Sequence, residues 1–130
     1  MKNSKWLSVA ALSGFLCVGI GAFVAHRLGQ ILEPKALSWV DTAIKYQMFH
    51  TIAIMGIGIA QISREQFALN KTLNFTACSW TFGMLFFCGS LYLLALGAGK
   101  FMVWLPPIGG MLFLIGWLCL AYGGFKSKSV

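Results

Sequence analysis

Tyr46-Gln47-Met48-Phe49-His50, which runs into the uncharged Thr51-Ile52-Ala53-Ile54-Met55-Gly56-Ile57-Gly58-Ile59-Ala60-Gln61-Ile62-Ser63, decides how this chain is read. On a helix of 3.6 residues per turn, Tyr46, Gln47, His50 and Thr51 share one side, which can hydrogen-bond while the rest is apolar. Before the uncharged run begins, Ser38, Asp41, Thr42 and Lys45 form a second polar side that is within reach of water. Such a helix starts at an interface and then enters hydrocarbon. Its inner polar side needs partners within a protein.

The composition points the same way. Of 130 residues, 58% are hydrophobic and 10% charged, with a mean hydropathy of +0.79, which excludes an ordinary soluble domain. The net charge of +7 comes from basic residues that stand singly or in pairs between apolar runs. They are expected to meet lipid headgroups and set orientation, and without a contiguous basic patch nucleic acid is not an expected partner. Cys17, Cys78, Cys88 and Cys119 all fall in apolar runs without CxxC spacing. Apolar filling is expected of them, rather than disulfide or metal chemistry.

Outward from the opening stretch, the charges delimit spans at about 6–25, 43–63, 73–98 and 106–124, each near the ~20 residues that cross a hydrocarbon core. The first is expected to be retained, since Phe23 stands where a signal-peptide cleavage site wants a small residue. Gly29, after His26-Arg27, is suited to cap it. Ser38 with Asp41 resembles a capping box opening the second helix at the interface, where Trp39 and Tyr46 serve as anchors. Pro106-Pro107 fits the first turn of the fourth helix. The predicted fold is therefore an all-α integral membrane protein. It is a four-transmembrane-helix antiparallel bundle forming one domain over residues 1–130, with an amphipathic interfacial turn before the second helix.

Six basic residues (Lys2, Lys5, Arg64, Lys71, Lys126, Lys128) on the side of the termini, against four (Arg27, Lys35, Lys45, Lys100) on the other, predict cytoplasmic termini. The glycosylation patterns at Asn70 and Asn74 then face cytoplasm or lipid. Small residues mark the packing faces. They are Ala10, Gly14, Cys17, Gly21, Ala22 and Ala25 on the first helix and Thr76, Ser79, Gly83, Ser90 and Gly97 on the third. Gly109 and Gly110 do the same on the fourth. Trp6, Trp39, Trp80 and Trp104 are expected at span ends, in the headgroup belt.

Several motifs together resemble a known family. Gly21-Ala22-Phe23-Val24-Ala25-His26-Arg27-Leu28, Tyr46-Gln47-Met48-Phe49-His50, Phe87-Cys88-Gly89-Ser90-Leu91-Tyr92 and Pro107-Ile108-Gly109-Gly110 followed by Gly116-Trp117 occur in the family's order. They are similar to motifs of domain-of-unknown-function family 423, small bacterial inner-membrane proteins with short eukaryotic transmembrane relatives. Val24 and Arg27 stand where that family's first motif has glycine. The resemblance implies a compact four-helix protein of the cell inner membrane and carries no activity with it.

The candidate polar site comprises His26, Asp41, Tyr46, Gln47, His50, Ser90 and Tyr92. Read as function, His26 at the end of the first helix faces His50, with Asp41 or Glu33 orienting one of them, so that the pair relays a proton, binds a metal or holds an anionic headgroup. Read as structure, Gln47 and His50 bond to Ser90, Tyr92 or backbone carbonyls, at about 0.6 to 2 kcal/mol each. The structural reading is preferred, because no carboxylate lies deep in the span. No catalytic constellation, metal-ligand set or cofactor motif is present in the sequence, so the expected function is a non-enzymatic structural, accessory or self-associating module. Its expected partners are the lipid bilayer and a homo-oligomer or larger membrane complex. The alternative is a transporter or channel for a small solute, proton or metal through His26 and His50. A haem protein held by the same two histidines ranks last.

Overall fold

The computed structural model describes residues 4–68 and 70–127, so Lys2 and Lys128, both used in the charge comparison, lie outside the described residues. Among those described, four long helices and no strand are found: α1 (Lys5–Phe23), α2 (Pro34–Ser63), α3 (Lys71–Ala95) and α4 (Leu105–Lys126). The stretches Lys5–Ile31, Lys71–Ala95 and Lys100–Lys126 are long and apolar enough to cross a membrane.

The helix ends follow from local chemistry. The Ser4 hydroxyl accepts from Leu7 N, and the Asn70 side chain accepts from Leu73 N at 3.0 Å, so both N-termini are capped. Proline opens α2 and α4. Pro34 is the first residue of α2, and Pro106 and Pro107 lie in the first turn of α4, where a missing N–H costs no helical bond.

Several boundaries differ from expectation. Helix α1 does not stop near residue 25 with Gly29 as its cap. It continues through a π-helical turn, Val24–Leu28, and a last turn, Gly29–Ile31. Gly29 is right-handed at φ −61°, and the break falls at Leu32 and Glu33 instead, where the chain becomes extended ahead of Pro34. The same proline pre-empts the Ser38–Asp41 capping box. Helix α2 begins a turn earlier, Ser38 Oγ donates to Lys35 O at 2.7 Å inside the helix, and Asp41 pairs with Lys45 at 2.7 Å. Between α2 and α3 lies a short helical turn, Glu65–Ala68, and ahead of α4 a 3₁₀ segment, Lys100–Trp104.

Helix α3 ends at Ala95 because Gly97, at φ +93°, turns the chain. Ala98 N donates to Leu93 O at 2.9 Å and Gly97 N to Leu94 O at 3.1 Å, which is a Schellman closure. Gly97 is thus a cap and not part of a packing face.

Packing runs α1 on α2, α2 on α3 and α3 on α4. Ala10, Ala43, Ile54, Ala77, Trp80 and Phe113 lie in the core. Trp80, expected in the headgroup belt, is 0% exposed, and Trp6 is also buried. Both indoles find acceptors there. Trp80 Nε1 donates to Phe113 O at 3.3 Å and Trp6 Nε1 to Asn74 Oδ1 at 2.7 Å, which removes the need for water. Thr76, Ser79, Gly83 and Ser90 are buried on α3, as the small-residue face of that helix requires.

The tightest contact joins α3 and α4. A Cβ on Gly83 would stand 2.6 Å from the Phe113 ring, and one on Gly109 would collide with the Phe87 backbone nitrogen and lie 2.8 Å from Gly83 O. Gly116 is closed in the same way by the Trp80 indole, and Gly58 on α2 by Leu7 N at 2.7 Å. Gly14 meets only the Thr51 methyl at an ordinary 3.7 Å, and Cβ atoms on Gly21 and Gly110 would meet nothing within 4 Å. Gly21 and Gly110 therefore do not serve close packing within the chain. Gly109→Ala should lower thermal stability in detergent by about 1–3 kcal/mol through overpacking of backbone. Gly110→Ala, one residue on, should leave it unchanged or raise it by up to ~1 kcal/mol through helix propensity. Equal losses at both positions would contradict the packing described.

Candidate functional site

Helix α2 carries its inner polar residues on two sides, and the structure gives each side its own partners. Gln47 and Thr51 turn towards α1 and α3. Gln47 Nε2 donates to Ser13 O at 3.1 Å and to Ser13 Oγ at 3.3 Å, and Gln47 Oε1 accepts from Tyr92 OH at 2.6 Å. Ser13 Oγ and Thr51 Oγ1 lie 2.6 Å apart, each also within reach of the Met84 sulfur, at 3.7 and 3.8 Å. One amide thereby ties three helices together.

His50 turns towards α3 and α4. Its Nδ1 lies 2.8 Å from Tyr46 O, one helical turn back, and its Nε2 lies 3.1 Å from Trp117 Nε1. A carbonyl can only accept and an indole N–H can only donate, so these neighbours fix a neutral imidazole with the proton on Nδ1. The Phe113 ring is stacked on the imidazole at 3.7 Å between centroids and 11° between planes, with Trp80 and Phe49 edge-on at 5.9 and 5.2 Å. Both nitrogens are engaged and one ring face is covered. Axial ligation of haem or binding of a metal through Nε2 would first require Trp117 to leave.

The other sequence-selected residues are dispersed. His26 is exposed on the π-helical turn beyond α1, and no hydrogen bond or ring contact joins it to His50. Asp41 is exposed and pairs with Lys45. Tyr46 contributes its backbone carbonyl to His50, while its half-exposed ring packs on Phe87 at 4.7 Å. Ser90 does not reach Gln47 or His50. Its hydroxyl donates to Phe86 O and Phe87 O in its own helix, as a serine in an apolar helix does when nothing else is near. Tyr92 alone of the α3 candidates meets Gln47.

Sequence reasoning left out Ser13 and Trp117 as partners, and also a third cluster, in which Asn74 Oδ1 accepts from Trp6 Nε1 and from Gln61 Nε2, the latter at 3.2 Å. A polar residue at matching depth on each of three apolar helices was the available signal. Across the α3–α4 contact Ser79 Oγ donates to Leu112 O at 2.7 Å. Among the described residues the Thr76 hydroxyl is the one buried side-chain polar atom without a partner. No three His, Cys, Asp or Glu residues among them are grouped to hold a metal.

The chain as a whole has relatives. Over residues 20–110 the chain matches the family described as Protein of unknown function (DUF423). It is 55% identical over the full length of both chains to a UPF0382 membrane protein of Haemophilus influenzae. It is 37% identical to the UPF0382 inner membrane protein YgdD of Escherichia coli K12, covering 98% of this chain and 95% of the relative. A UPF0382 membrane protein of Staphylococcus saprophyticus is 39% identical, covering 93% of this chain and 97% of the relative. No solved structure matches. The chain belongs to the DUF423 family of membrane proteins, whose function is unknown.

Proposed function

We propose that this chain is a non-enzymatic module of the cell inner membrane: a four-crossing antiparallel helix bundle with cytoplasmic ends that serves as a structural or accessory subunit or as a self-associating module. One observation carries the reading. The polar groups of Gln47, His50, Thr51, Ser13, Tyr92 and Trp117 bond to one another or to backbone, across helices in every case but the His50 Nδ1–Tyr46 O contact within α2. No donor or acceptor among them is left pointing into a cavity where a substrate would need it.

Helix α2 falls short of the hydropathy of the other three because of Gln47, His50, Thr51 and Gln61, and all four are buried. What it presents outward is Met48, Phe49, Ile52, Met55 and Ile59, a face suited to lipid. Thirty residues give about 45 Å of helix, ample for a crossing. Along each neighbouring pair the contacts run in opposite order: Leu7–Gly58 and Ser13–Gln47, Gln47–Tyr92 and Gln61–Asn74, Trp80–Gly116 and Phe87–Gly109. That order supports antiparallel neighbours. Gly19 and Gly56, whose Cβ positions meet nothing, leave room for a helix of a second copy. The inner-membrane name of the E. coli relative supports the location. The transporter alternative needs His26 and His50 to act together, and nothing in their geometry supports that.

Three measurements test the reading. Reporter fusions at both termini and in the connection after Ser63 should report cytoplasm, and fusions near Lys35 and Lys100 the opposite side; a cytoplasmic signal from Lys100 would remove the four-crossing topology. In a double-mutant cycle, His50→Phe and Trp117→Phe should show a coupling of about 0.6–2 kcal/mol in stability. Liposomes holding the wild-type protein should leak protons no faster than empty ones. Proton flux that disappears with His50→Phe would transfer the histidine to transport.

A further inference from the structure

Because α1 packs on α2 and α4 on α3, the outer surfaces of α1 and α3 are left apart above α2. Between them runs a groove of about 380 Å³. Its walls are apolar and face outward, with Leu12 62% and Leu85 61% exposed. Its floor holds Ser13, Gln47 and Tyr92, the polar atoms already committed to one another. Gly89 stands in the α3 wall, where a Cβ would meet nothing within 4 Å, so no packing inside the chain calls for a glycine there.

We propose that this groove holds one acyl chain of a membrane phosphoglyceride, whose phosphate lies at Arg27. An apolar slot with no free donor or acceptor gives water nothing to bind, and left void it forfeits dispersion contacts, so its occupant is apolar. The groove extends along α1 from Val9 to Ile20, about 16 Å of helix. A single hydrocarbon chain is thin enough. Seven residues beyond Ile20 on the same helical run, the π-helical turn exposes Arg27 beside His26, at the level a headgroup reaches from a chain seated below. A guanidinium there complements a phosphate. The inference rests on α1 and α3 lying in the bilayer, and not on α2 crossing or on self-association.

Native mass spectrometry of the full chain, released from nanodiscs of phosphatidylethanolamine and phosphatidylglycerol, reads lipid count and subunit count separately. Wild type should retain one phosphoglyceride per chain through activation that strips bulk lipid. Gly89→Leu, which fills the groove where the fold has space, should lower that occupancy by about tenfold. Arg27→Gln should lower it by about fivefold, the worth of one basic residue at a lipid surface. Gly56→Leu, the same enlargement on a surface outside the groove, should leave the lipid count unchanged even where it reduces the subunit count. Leu85→Trp plugs the groove from an exposed wall and replaces Gly89→Leu if that variant is not monodisperse. The proposal fails if wild type retains no lipid, if Gly89→Leu or Leu85→Trp retains as much as wild type, or if either changes the subunit count alone. An occupancy unmoved by Arg27→Gln would overturn the phosphate contact. None of these outcomes depends on the topology reporters, so this site and the four-crossing reading can fail separately.

Discussion

An apolar surrounding offers no hydrogen bonds, and α2 carries buried polar side chains on two of its sides. The arrangement of the other helices answers that constraint. Gln47 cannot be satisfied by one neighbour, because its amide needs both an acceptor and a donor. Ser13 supplies the first from α1 and Tyr92 the second from α3. His50, about a turn further on, faces α4 through Trp117 and the stacked Phe113. The polar atoms of one helix thereby specify which helices lie on which side of it, a selectivity that apolar contacts in lipid do not supply.

The α3–α4 contact is held by different means, with backbone approach doing what hydrogen-bonding side chains do around α2. Gly83, Gly109 and Gly116 bring the two helices close enough for Ser79 and Trp80 to reach the Leu112 and Phe113 carbonyls. That approach also sets Phe113 against His50. An added methyl at Gly109 would therefore act on the histidine cluster as well as on its own contact, since the ring that covers the imidazole is positioned by the glycines a turn away.

What the sequence displayed clearly were features that a residue carries by itself. Pro34, Pro106 and Pro107 open helices wherever they occur, charge ends a span, and Gln47 and His50 in an apolar run require partners. What it did not display depends on the residue opposite. Gly21 and Gly109 are identical as letters, yet one faces open space and the other a backbone nitrogen. Trp80 reads as a belt residue until Phe113 O is seen to take its N–H deep in the protein. Ser13 is inconspicuous in α1, since a hydroxyl there can bond to its own helix as Ser90 does. Its part in the Gln47 cluster follows from the depth at which α1 packs. His26 pairs with His50 by residue type alone, and the structure instead leaves it exposed on the π-helical turn that follows α1.

The division of hydropathy between α2 and its neighbours has a consequence for how the protein is made. A segment bearing Gln47, His50, Thr51 and Gln61 with no partner gains little by leaving the aqueous channel of the insertion machinery for lipid. Helix α1 precedes it, lies in a stretch long and apolar enough to cross by itself, and offers the Ser13 carbonyl and hydroxyl to Gln47. With α2 crossing as proposed, α1 must wait beside the exit for α2 and the two must partition together. The order of synthesis is then also the order in which hydrogen-bonding capacity is matched, and α3, with Tyr92 near its end, closes the Gln47 cluster only after its own crossing is complete.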